Sequence, residues 1–251
     1  MAASSSQGFS MVLVVLALAT LGGVLYYSIN QVSSDMPVSI APSISTVSGG
    51  GGPGAAMSLH EAAEKGDAAA IAVAISKGAK VDEALASGSK SGLTPLMCAA
   101  LAVRPDSVAA LIKGGAKVSV RAKDGKTALI YAAGWANPAT VQAVLEGKPN
   151  LDERTDDRWT ALMMAASRGD AGNIKVLIDA GADVNAKNKW GQNSLMAACR
   201  AGDGEKVKML LAAGANVNDS DIDGMTAINH AAGSIGAGSL DAVKALIEKK
   251  V

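Results

Sequence analysis

Aromatic side chains are nearly absent: 251 residues hold three Trp, three Tyr and one Phe. An aromatic core is thereby excluded, and any core must come from Ala, Leu, Ile, Val and Met. Histidine is scarcer still. His60 and His230 stand near opposite ends of the charged part of the chain, too far apart to share a metal or a base role. There are two cysteines and no Cys-x-x-Cys pair, Gly-rich phosphate loop or His-Glu-x-x-His motif. With those absences go the usual carriers of metal, nucleotide and hydrolytic chemistry, and no cofactor is expected. Net charge is absent too: 23 Lys and Arg balance 23 Asp and Glu. No strong field therefore invites nucleic acid. Within residues 1–56 charge almost vanishes, Asp35 being its only charged side chain.

What is present is a period. Gly92-Leu93-Thr94-Pro95-Leu96 recurs as Gly125-Lys126-Thr127-Ala128-Leu129, Arg158-Trp159-Thr160-Ala161-Leu162, Gly191-Gln192-Asn193-Ser194-Leu195 and Gly224-Met225-Thr226-Ala227-Ile228, each 33 residues after the last. A fixed period of this length marks a stacked array of helical units. The Thr or Asn before each apolar residue is a good N-cap, because its side-chain oxygen accepts an orphan backbone N–H. Pro95 stands at a first helical position, where its missing donor costs nothing. Small pairs follow (Ala99-Ala100, Ala132-Ala133, Ala165-Ala166) and let neighbouring helices approach closely. A second apolar run ends in Gly115-Ala116, Gly181-Ala182 or Gly214-Ala215, where the glycine suits a left-handed C-terminal cap. Each unit thus reads as helix, turn, helix and a projecting hairpin-like finger.

This pattern resembles the ankyrin repeat, whose units run Gly-x-Thr-Pro-Leu-His-x-Ala-Ala, a helix, then Gly-Ala-Asp-Val-Asn. The likeness covers residues 57–251. It includes an earlier unit, Leu59-His60-Glu61-Ala62-Ala63 with Gly78-Ala79-Lys80-Val81-Asp82, separated from the next by about four extra residues in Ala84–Ser91. Six units result, and the resemblance implies an all-α solenoid that binds proteins. Departures are specific. The family histidine survives only as His60. Unit three has Lys148-Pro149 in place of Gly-Ala, so its second helix is expected to end early, at Gly147. Unit six gains about three residues within Ser234–Ser239. Cys98 and Cys199 fall three units apart. At about 10 Å per unit they cannot approach the ~7 Å that a disulfide requires.

Residues 1–8 form a polar tail and 9–29 an uncharged run, Phe9 to Ile29. As a helix that run would span about 31 Å, enough for a bilayer core, with Tyr26 and Tyr27 at an interfacial level. A cleaved signal peptide is the rival, but no Lys or Arg precedes the run. Residues 30–56, rich in Ser, Gly and Pro, read as a flexible linker. The expectation is a single-pass membrane protein with its repeats on the extracytoplasmic face.

Asp219, Asp221 and Asp223 alternate as calcium ligands do, but His230 stands where an EF-hand loop carries Glu, so a solvated acidic finger is expected. Met163, Met164 and Met196 read as core. The informative residues are the four aromatics beyond the apolar run: Tyr131, Trp135, Trp159 and Trp190. All lie in units three to five, on first helices and fingers, the parts that line the concave face in ankyrin arrays. They are the candidate protein-binding residues, since large aromatics are typical interface anchors. The function expected is a membrane-tethered scaffold or adaptor with no catalysis of its own. The alternative is a regulatory or inhibitory subunit that modulates one enzyme.

Overall fold

The computed structural model describes residues 57–234 and 238–249. The tail, the proposed span and the linker lie outside the described residues. Among the described residues no helix is long and apolar enough to cross a membrane.

Among the described residues twelve helices follow one another in six pairs: α1 (Leu59–Lys65) with α2 (Ala68–Ser76), α3 (Pro95–Leu101) with α4 (Pro105–Lys113), α5 (Ala128–Trp135) with α6 (Pro138–Leu145), α7 (Ala161–Arg168) with α8 (Ala171–Asp179), α9 (Ser194–Ala201) with α10 (Gly204–Ala212), and α11 (Ala227–Ala232) with α12 (Ser239–Lys249). First helices pack on first helices of the neighbouring unit, and second on second. The capping residues do what their chemistry dictates. Thr94, Thr127 and Thr160 accept the backbone N–H three residues on at 3.3, 3.5 and 3.3 Å, and Asn193 does so at 3.0 Å. Unit six differs: Asn229 reaches back and accepts from both the N–H and the hydroxyl of Thr226, each at 2.9 Å.

The same slot is buried in unit after unit. Leu96, Leu129, Leu162 and Leu195 are sealed on the first helices, as are Val108, Val141, Ile174 and Val207 on the second. One continuous apolar cluster runs from Leu59 to Leu246. Each fully buried aliphatic side chain contributes about 1.5–3 kcal/mol, so the array is stabilised by a repeated small core instead of one large one. Met163, Met164 and Met196 belong to that interior. Cys98 and Cys199 are buried, free thiols.

Four of the fingers close on themselves by a backbone hydrogen bond at the same step: Ala122 N–H to Lys126 O, Thr155 to Trp159, Asn188 to Gln192 and Asp221 to Met225. Adjacent fingers are tied by side chains. Arg121 donates to Arg154 O (2.6 Å), and Arg154 to Lys187 O (3.2 Å). Further out, Asp152 and Asn185 accept the N–H groups of Asp183 and Asn216 in the following unit, at 3.1 and 2.9 Å.

Unit three departs as its sequence does, though not at the expected residue. Helix α6 ends at Leu145, two residues before Gly147. At the next slot Lys148 takes φ +53°, where the other units place Gly115, Gly181 and Gly214 at φ +88° to +95°. An L-residue in that region costs about 1–2 kcal/mol.

Candidate protein-interaction face

Tyr131 and Trp135 lie together on α5, while Trp159 and Trp190 lie on two separate fingers, and the four do not share one role. Tyr131 is buried, at 6% exposure, which corrects the expectation of an open ring. Its position on α5 points it under the finger of its own unit. There its hydroxyl donates to both carboxylate oxygens of Asp124, at 3.0 and 2.9 Å. The ammonium of Lys126 closes the cluster by pairing with Asp124. Burial of the phenol, together with this carboxylate, pushes the Tyr131 pKa well above its ordinary range. Hydrogen bonds from Lys126 and Tyr131 hold Asp124 below the usual carboxylate value, against the opposing and larger single effect of burial. Tyr131 is therefore a support, and what it supports is Trp135, one turn further along α5, with ring centroids 6.0 Å apart.

Trp135, Trp159 and Trp190 are each partly exposed. Trp135 and Trp159 rest one side on the core; Trp190 is not packed against it. Every ring carries a cation. Lys126 and Arg168 lie 5.9 Å from the Trp135 centroid, Arg200 lies 5.8 Å from that of Trp159, and Lys189 lies 4.4 Å from that of Trp190. Such contacts are worth about 0.5–1 kcal/mol at exposed sites and more when water is excluded. Two of the pairings cross unit boundaries: Arg168 on α7 lies over a ring on α5, and Arg200 on α9 over a ring on the preceding finger. Chemically the surface offers flat apolar area with positive charge beside it, as interface hot spots do.

Arg158, next to Trp159 at the fingertip, has φ +63° where the other fingers use Gly92, Gly125, Gly191 and Gly224. The backbone there accepts strain that glycine would remove.

The acidic finger of unit six is not wholly solvated, contrary to its sequence reading. Asp221 is buried. One oxygen accepts from the N–H groups of Asp223 and Met225, and the other from Nε2–H of His230 at 2.9 Å. Burial lowers the His230 pKa despite the pull of Asp221. His60 interacts through Nε2 with Leu93 O at 3.2 Å. Among the described residues no group of three His, Cys, Asp or Glu is placed to hold a metal ion.

Sequence reasoning missed Asn173. It is fully buried on α8 and donates through Nδ2 to Ala133 O (3.0 Å) and Ala136 O (2.8 Å) of the preceding unit. Those carbonyls end α5, so Asn173 fixes the turn that presents Trp135. The only signal was a polar residue at a slot filled elsewhere by Ser107, Thr140 and Lys206.

The stacked helix pairs, the finger hydrogen bonds and the capping slots define a helical-repeat binding solenoid. The family model for ankyrin repeats, three copies long, matches residues 105–188 and 162–251. The chain belongs to the ankyrin repeat family. Among curated proteins none matches it. Solved structures similar to it include the ankyrin repeat domain of Bcl-3, a member of the IkappaB protein family, with 28% identity over 79% of this chain and 87% of that one, at a TM-score of 0.66. The ankyrin repeat protein EF0377 shares 25% identity over 77% of this chain and 98% of its own, also at 0.66. A chain from the complex of the predatory endopeptidase Bd0816 of Bdellovibrio bacteriovorus with the immunity protein Bd3460 shares 27%. It aligns over 76% of this chain and 97% of its own, at a TM-score of 0.62.

Proposed function

We propose that this protein binds a protein partner through the fingers and first helices of units three to five, and that residues 9–29 hold it at a membrane as a tethered scaffold or adaptor, with the repeats on the extracytoplasmic side. The observation that supports the binding site is that all three Trp residues of the chain stand on a first helix or on fingers of units three to five, each partly exposed beside a cation. The tether rests on the sequence alone: a 21-residue uncharged run followed by a Ser/Gly/Pro-rich linker. Tyr131, Trp135, Trp159 and Trp190 form the patch, Tyr131 from beneath.

A second reading has its own support. One structural relative comes from a complex of an endopeptidase with an immunity protein. On that reading this chain is a regulatory subunit that blocks a single enzyme.

A photo-crosslinking residue placed at Ser167, beside the patch, and at Lys175, on the outer side of α8, tests the site in cells. The reading requires a discrete protein adduct at 167 and none at 175. Adducts at 175 alone, or at neither position, would contradict it. Activity assays on the adducted protein separate scaffold from inhibitor, and recovery of the full chain from salt-washed membranes checks the tether.

A further inference from the structure

We infer that the segment this face accepts is an acidic protein segment, with Asp or Glu side chains seated on Arg168 and Arg200. This rests on the reading of the face as a protein-binding surface and adds the chemistry of what binds. The carboxylates of the patch are already committed. Asp124 is held by Lys126 and the Tyr131 hydroxyl, Asp156 by Arg121 and Asp157 by Lys189. The arginines are not. Among the described residues Arg168 and Arg200 have a tryptophan ring beside them and no carboxylate partner. A guanidinium without a carboxylate partner keeps the planar fork of N–H donors that takes a carboxylate by two parallel hydrogen bonds. A third arginine, Arg158, stands at a fingertip slot that four other units fill with glycine, so a cation is kept there against the backbone preference.

A protein segment fits this better than a nucleic acid. Asp124 and Asp157 stand beside Lys126 and Lys189 and would repel an unbroken row of phosphates, whereas a peptide can interleave neutral and acidic side chains. The chain as a whole carries no net charge, and phosphate binding draws on an excess of it.

The chain supplies its own reporter, because its three Trp all belong to the patch. The full chain, purified in detergent, is used to select from a displayed library of random peptides, and selected sequences are titrated by tryptophan fluorescence. Enrichment of Asp and Glu is expected, with loss of the fluorescence change when they are replaced by Asn and Gln. Arg168→Gln and Arg200→Gln should each weaken binding by about tenfold with unfolding midpoints unchanged, Arg→Lys at either site should restore part of it, and affinity should fall with added salt. The double change to Glu should turn the preference to Lys-rich peptides. If peptides bind in a Trp135- and Trp159-dependent way without acidic preference, the inference fails while the binding face stands. If binding depends on neither the Trp nor the Arg residues, both fail. If a duplex DNA oligonucleotide binds as well as the peptides through the same arginines, the site is a general polyanion site and the inference is overturned.

Discussion

Removing the Asn173 side chain tests whether one buried amide joins units three and four. Nδ2 spans two carbonyls at the end of α5, Ala133 O at 3.0 Å and Ala136 O at 2.8 Å, and the residue is inaccessible to water. In Asn173→Ala both bonds go, at about 1 kcal/mol each, and two buried acceptors lose their donor. Part of this is offset, because Oδ1 is itself buried without a protein partner and its removal relieves a cost. The net expectation is a destabilisation of about 2 kcal/mol. Asn173→Asp should be worse, since it sets an oxygen against two carbonyl oxygens and buries a charge; more than about 3 kcal/mol is expected. Urea unfolding followed by circular dichroism gives both values, and an unchanged slope confirms that the transition itself is unaltered. A loss under about 0.5 kcal/mol for the alanine variant, the range of an ordinary surface change, would refute the reasoning. So would an aspartate variant no worse than alanine.

Three other outcomes follow from the same geometry. Gly169→Ala would set a Cβ 2.1 Å from the backbone oxygen of Ala133, an overlap no rotamer relieves, and should cost about 2 kcal/mol or more in urea unfolding. Because burial lowers the His230 pKa below its unfolded value near 6.5, the unfolded chain takes up more protons as the medium is acidified; stability is full above about pH 6.5 and declines below it, and His230→Gln should flatten that decline in a pH series of unfolding curves. Burial pushes the thiols of Cys98 and Cys199 up to about 12, so maleimide should label neither in the native protein at pH 7 and both in urea, as counted by mass spectrometry.

Much of the array was legible because its rules are local. Capping by Thr94, Thr127, Thr160 and Asn193 depends on the next three residues, and the Gly slots on one torsion angle, so a 33-residue comparison exposes both. The methionines of the first helices read as interior because they share a slot with apolar residues in other units. What escaped depends on contacts between units or on a finger folding back. Tyr131 read as exposed because it shares a helix face with Trp135, although its slot on α5 is filled elsewhere by the buried Cys98, Met164 or Ala197, and the cluster of Asp124 and Lys126 shows how a phenol is accommodated there. Asp221 read as one of three solvated acids because its partner, His230, lies on the following helix. Asn173 gave only the signal of a polar slot shared with Ser107, Thr140 and Lys206, which does not show that it bridges two units. The arginines beside Trp135 and Trp159 were equally hidden, as Arg168 and Arg200 come from the next unit in the stack.

The central claim is that the partly exposed tryptophans contact a partner and are not there to hold the stack together. Unfolding free energy and partner affinity measured side by side for Trp190→Ala and Trp159→Ala decide it. Trp190 is not packed on the core, so its loss should change stability by less than about 0.5 kcal/mol while weakening partner binding by roughly thirtyfold, or about 2 kcal/mol. Trp159 leans on the core and should lose about 1 kcal/mol of stability with a comparable loss of binding. Stability lost by several kcal/mol at both positions, with affinity unchanged in the folded fraction, would contradict the account.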